Sequence, residues 1–131
     1  MDFERIIWDK NVHAIIIRGH ISVGKTTFVT DIDEEFQFGV IVGKRSSASS
    51  EHTHLERIRS IKTTCEALFV RSGECEITIR CDEERFTSRA LKSGDAILLL
   101  RGSHGVKYLS DCELLEVKQG PFDPNLDKML L

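Results

Sequence analysis

Two histidines, His52 and His54, stand two residues apart in the middle of the chain. On an extended strand, residues i and i+2 point to the same face, so both rings could enter one pocket. Imidazole is the commonest protein metal ligand, and two on one face begin a metal site. Downstream, Glu66 opens an apolar run that ends at Gly73. A third histidine, His104, lies between Gly102 and Gly105, just after the apolar stretch Ala96–Leu100. The chemistry on offer is metal ligation or proton transfer, provided that distant segments converge.

The elements that must position these groups read as short strands. Glu74 to Cys81 is the clearest: Cys75, Ile77, Ile79 and Cys81 alternate with Glu74, Glu76, Thr78 and Arg80. That gives one buried and one wet face, as in an antiparallel sheet with solvent on one side. Further strands are expected over 11–18, 25–31, 36–43, 86–91, 96–100, 107–109 and 112–118, with a new strand starting at His52 and sheet again over 59–64. Only residues 1–10 look helical, and 120–131, which contains Pro121 and Pro124, reads as a surface tail. Many short strands divided by turn signals predict a single all-β domain over 1–131, a sandwich or barrel.

Composition narrows the function. A chain of 131 residues can bury a core without staples, and its net charge of −3 lacks the basic surplus of a nucleic-acid binder. No apolar run approaches the roughly 20 residues of a membrane span, and residues 1–5 do not resemble a signal peptide. Four cysteines without a CxxC pair read as reduced thiols of a cytoplasmic protein, with Cys75 and Cys81 as small core residues. His13 and His20 read as ordinary surface or turn histidines.

Residues 19–26, GHISVGKT, match a phosphate-binding loop letter for letter. That chemistry needs a helix after the loop, so that its N-terminal amides face the phosphates. The residues that follow, Thr26-Thr27-Phe28-Val29-Thr30, are β-branched and poor helix formers. The expectation is a glycine-bounded turn between strands.

His52-x-His54, Glu66 with Gly73, and Gly94-Asp95 followed by a strand and His104 together resemble the cupin superfamily. More narrowly, Thr64-x-Glu66, His104-Gly105 and residues 116–121 are similar to small single-domain cupins encoded with surface-polysaccharide or nucleotide-sugar genes. The resemblance covers roughly residues 36–128. It implies an antiparallel β-barrel or jelly roll, with His52, His54, Glu66 and His104 as ligands of one divalent ion (Zn, Fe, Mn or Ni), and a homodimer. It also implies a small ligand of the sugar or sugar-acid class, isomerised, epimerised or cleaved, or bound without turnover. Eleven residues separate His54 from Glu66, against three or four in the family pattern, so Glu56 is the alternative carboxylate.

Around that centre, Glu116 and Tyr108 are the candidate proton-transfer residues, and Arg59, Lys118 and Arg101 the candidate ligand-binding cations. Glu116 and Lys118 share one face of the last strand with Leu114, and Leu115 and Val117 share the other. Either set could face inward.

Overall fold

The computed structural model describes residues 3–131. Ten strands form, all paired antiparallel, and no helix occurs among the described residues. They are β1 (Glu4–Trp8), β2 (Asn11–Ile17), β3 (Thr27–Phe28), β4 (Gly39–Val40), β5 (Glu66–Ser72), β6 (Glu74–Arg80), β7 (Phe86–Lys92), β8 (Ala96–Leu99), β9 (Ser103–Tyr108) and β10 (Glu113–Lys118). A five-stranded sheet has the order β1-β2-β8-β5-β10, and a three-stranded sheet the order β7-β6-β9.

The two sheets pack face to face. Ile6, Ala14, Ile16, Leu68, Val70, Ile97 and Leu99 from the larger sheet meet Cys75, Ile77, Ile79 and Leu91 from the smaller one. The alternation in β6 does what its pattern requires, sending Cys75, Ile77 and Ile79 into this core. The larger sheet has a second covered face, where Ile15, Ala67, Leu98 and Leu100 pack with Val29, Phe36 and Phe38 from the β3–β4 region. Strand β8 is therefore buried on both sides, which is why it reads as an unbroken apolar run.

The expected barrel does not close among the described residues. Strands β1 and β10 end one sheet and β7 and β9 end the other. On one side the Arg89–Glu4 ion pair ties β7 to β1 through side chains. The N-terminal helix expected over 1–10 is also absent. Its described part is β1, which pairs with β2 through a turn holding Asp9 and Lys10 at positive φ, while residues 1–2 lie outside the described residues. The helical look was a local preference, and the β2 ladder overrides it.

The strands expected at His52 and over 59–64 do not form. Residues 41–64 contain no strand and are exposed throughout. The glycine-bounded stretch at 19–26 is a turn region that leads into strand β3, as its β-branched residues required. His20 is exposed, but His13, expected at the surface, is buried within β2. All four cysteines are free thiols, with Cys75 fully buried and Cys81 partly so.

Candidate functional site

Glu66 is the first residue of β5 and lies directly across from Lys118 of β10. Strand alternation puts Glu66 on the same face as Leu68 and Val70, so its carboxyl points between the sheets at their open end. His104 of β9 lies opposite Ile79, and thus also on an inward face. The two meet: His104 Nε2 stands 2.6 Å from Glu66 Oε1. A ring N–H donating to a carboxylate at that distance is a short, charge-assisted hydrogen bond.

The last strand settles the orientation left open by its alternation. Leu115 and Val117 face outward, 49% and 52% exposed, so Glu116 and Lys118 lie on the Glu66 side. Lys118 Nζ lies 3.8 Å from Glu116 Oε2 and 4.9 Å from the centre of the Phe122 ring. The Glu116 and Glu66 carboxyls are near enough to shift each other's titration. His104 beside it holds Glu66 below the usual carboxylate range, and the nearby Glu116 carboxyl adds to this against the opposing effect of burial. The adjoining Glu66 carboxyl pushes Glu116 upward, and burial pushes the same way. Glu66 is therefore the stronger acid of the two and Glu116 the weaker. Paired carboxyls whose proton affinities are driven apart are the usual mark of an acid–base assignment.

The other expected site residues are elsewhere. Tyr108 is on the inward-facing row of β9, but four residues from His104, on the order of 13 Å along the strand. It is 60% exposed. Arg101 is committed to the fold: its guanidinium grips Glu34 through two bonds of 2.9 and 3.1 Å, and donates to the Val12 carbonyl. Arg59 lies in the exposed 41–64 segment, as does the alternative carboxylate Glu56. His52 and His54 are there too, with ring centres 5.3 Å apart. The rings remain neighbours, but they do not join Glu66 and His104. Among the described residues no group of three or more His, Cys, Asp or Glu side chains is arranged to hold a metal ion. The donors as placed here do not fit the divalent ion that the cupin resemblance implies.

A carboxylate that sequence reasoning took only as part of a turn, Asp95, turns out to organise the opposite end of β8. It is buried and accepts from Gly19 N–H (2.8 Å), Lys92 N–H (2.9 Å) and Arg18 Nη1 (3.1 Å). Burial alone would raise its pKa, but the two backbone donors and Arg18 together outweigh that and lower it. Gly19 permits this closure, since a β-carbon there would lie 2.8 Å from the Gly94 backbone. The signal was the Gly94-Asp95 turn; its Gly19 and Arg18 partners, 76 and 77 residues away, left no local trace.

A cleft of about 730 Å³ also opens at the Asp95 end, with Arg18, His20 and Ser22 in its wall. No member of the Glu66 cluster lines it. Its one arginine already donates to Asp95 and to the Ala90 carbonyl, so cavity size and reactive chemistry point to different places. The coupled carboxyls are the better guide, because proton transfer requires titratable groups in contact and not volume alone.

No family model, curated protein or solved structure matches this chain.

Proposed function

We propose that this chain acts on a small polar molecule of the sugar or sugar-acid class by proton transfer at Glu116, in a fold of the cupin jelly-roll type. The observation that carries the reading is the neighbouring Glu66–Glu116 pair, its two carboxyls driven apart in proton affinity, with His104 Nε2 2.6 Å from Glu66. Glu116, the weaker acid of the pair, is the group that takes and gives the proton. Glu66 stays charged and orients both Glu116 and His104, and Lys118 offers a cation to a ligand carboxylate or hydroxyl. Epimerisation beside a carbonyl fits this equipment: ionised Glu116 takes the proton from carbon, Lys118 holds the resulting enolate oxygen, and Glu116 returns the proton to the other face of that carbon once the enolate has turned. The class of substrate rests on the resemblance of Glu66, His104 and residues 116–121 to small sugar-linked cupins.

The experiment is a turnover screen against aldoses, ketoses, sugar acids and their nucleotide-linked forms. It uses wild type, Glu116→Gln and His52→Ala, with metal content measured on each preparation. Turnover that Glu116→Gln removes and His52→Ala retains supports the reading. Ligand binding without any turnover replaces it with a sugar-binding module. Should His52→Ala remove both a bound divalent ion and turnover, a metal-centred site takes its place.

A further inference from the structure

Two of the four cysteines face one core from opposite sheets. Cys75 of β6 is 0% exposed, and Cys112, just before β10, is partly buried and packs against the cluster that contains Cys75. The backbone brings them together. Tyr108 at the end of β9 pairs with Cys75, and Glu113 at the start of β10 pairs with Ser72 of β5. Between those points the connection over 109–112 is fastened to Glu74. The Leu109 and Ser110 amides donate to the Glu74 carbonyl at 3.0 and 3.3 Å, and the Glu74 amide donates to Ser110 Oγ at 2.9 Å. At Gly73, where φ is +79°, a β-carbon would stand 2.9 Å from Cys112 Cα. Cys112 thus crosses over Gly73, two residues from Cys75. Residues two apart on a strand lie about 6.6 Å apart, and a disulfide spans α-carbons up to about 7 Å apart. The Cys112 thiol is also near enough to shift the titration of Cys75.

Among the described residues neither other thiol is so placed. Cys65 packs in the second core, with its Sγ 3.7 Å from both the Leu100 carbonyl and Thr63 Oγ1. Cys81 lies six residues beyond Cys75, about 20 Å along the strand direction.

Exposure divides the roles within the pair. Burial, with Cys112 and Asp95 adding to it, pushes the Cys75 thiol up to about 11, which keeps it protonated and slow toward reagents in solution. Cys112 is partly exposed and is the sulfur that such a reagent meets first.

We propose that Cys75 and Cys112 are a reversible oxidation site, a dithiol that a low-molecular-weight disulfide converts into a covalent bridge between the two sheets. Cys112 loses its proton to water, and its thiolate attacks one sulfur of the reagent. The reagent S–S bond breaks and one small thiolate leaves. Cys75 then gives its proton to that thiolate, and its sulfur attacks Cys112 Sγ. The mixed disulfide breaks and the second small thiol leaves. Two protein thiols are oxidised while one disulfide is reduced to two thiols, so no further oxidant is needed. The bridge pins to β6 the root of β10, where pairing with β5 shifts register between Glu113 and Leu114. That end of β10 is the one away from Glu116, so nothing here depends on the chemistry assigned to that residue.

The test exposes the folded full chain to oxidised glutathione, quenches with acid, alkylates the remaining thiols and maps tryptic peptides by mass spectrometry. Trypsin puts each cysteine on its own peptide: Cys65 on 63–71, Cys75 on 72–80, Cys81 on 81–85 and Cys112 on 108–118. Peptides 72–80 and 108–118 should be linked at least about tenfold more than any other pair, and dithiothreitol should release them. Alkylatable thiols should fall from four to two. Cys75→Ala should stop at a glutathione adduct on Cys112, and Cys112→Ala should leave Cys75 unmodified wherever the variant keeps the wild-type circular dichroism spectrum. Cys81→Ser should leave the link in place. The wild-type map decides by itself if either core variant fails to fold. A wild-type chain without that link overturns the proposal, as does a link that forms only in urea, or glutathione on Cys75 in folded Cys112→Ala.

Discussion

The two ends of strand β8 hold carboxylates in opposite circumstances. At one end Asp95 is buried, with its oxygens held by two backbone amides and Arg18. At the other, Glu66 and Glu116 are neighbours at a partly solvated edge and contact the side chains of His104 and Lys118. A carboxylate whose partners are mostly backbone can only hold the chain in place. One whose partners are titratable side chains can change protonation state without breaking the fold. The difference separates a structural anion from a working one more clearly than burial or cavity size does.

That contrast breaks most visibly in activity. Glu116→Gln keeps the shape and removes the exchangeable proton, so turnover should fall about 10²–10⁴-fold in a steady-state assay. Asp95→Gln is not comparable, because it changes length; Asp95→Asn should leave the chemistry of any folded molecule intact.

Stability should show the reverse order. Asp95→Ala strands two backbone donors and the Arg18 charge, and should cost about 3 kcal/mol in urea unfolding. Glu116→Gln should cost less than about 1 kcal/mol in the same measurement, since Glu116 sits at a partly solvated edge.

The pH dependence sharpens the comparison further. Asp95 has a folded pKa below its ordinary 3.8, so its stabilisation is present above that value and lost as acid titrates the folded carboxylate. Glu66 behaves with the same sign. Glu116 is opposite: its raised folded pKa favours the protonated form, so its contribution is present below its ordinary 4.5 and fades as pH rises through the raised value. Urea midpoints measured against pH should fall on acidification, and Asp95→Asn should flatten that limb.

The smallest effect should come from Glu66→Gln. It removes the charge that lifts Glu116, so the limb of the activity profile governed by Glu116 should move to lower pH, which a pH–rate series would detect. An unmoved limb would separate the two carboxyls functionally.

How much of this was legible differs from strand to strand. The β6 alternation and the apolar β8 run carried their burial in residue type, and both formed as read. Residues 1–10 read as helical because nothing local announces the β2 ladder that makes them β1. Residues 52–64 hold β-formers but find no partner within the described chain, and a strand needs a neighbour as well as a propensity. At the centre, Glu66 and His104 were both identified and do meet, whereas His52 and His54 stay on the exposed segment. The pairing of Glu66 with Glu116 was out of reach. It depends on the register that sets Lys118 across from Glu66, and a one-residue slip would have turned Glu116 outward.

Residue order alone determined that this protein is built of short antiparallel strands around an aliphatic core, because hydrophobic alternation and turn residues act over a few neighbours. Only the tertiary structure decided which carboxyl has its proton affinity raised and which merely clasps the backbone. Those fates depend on hydrogen-bond donors delivered by segments dozens of residues away, and electrostatics responds to distance in space.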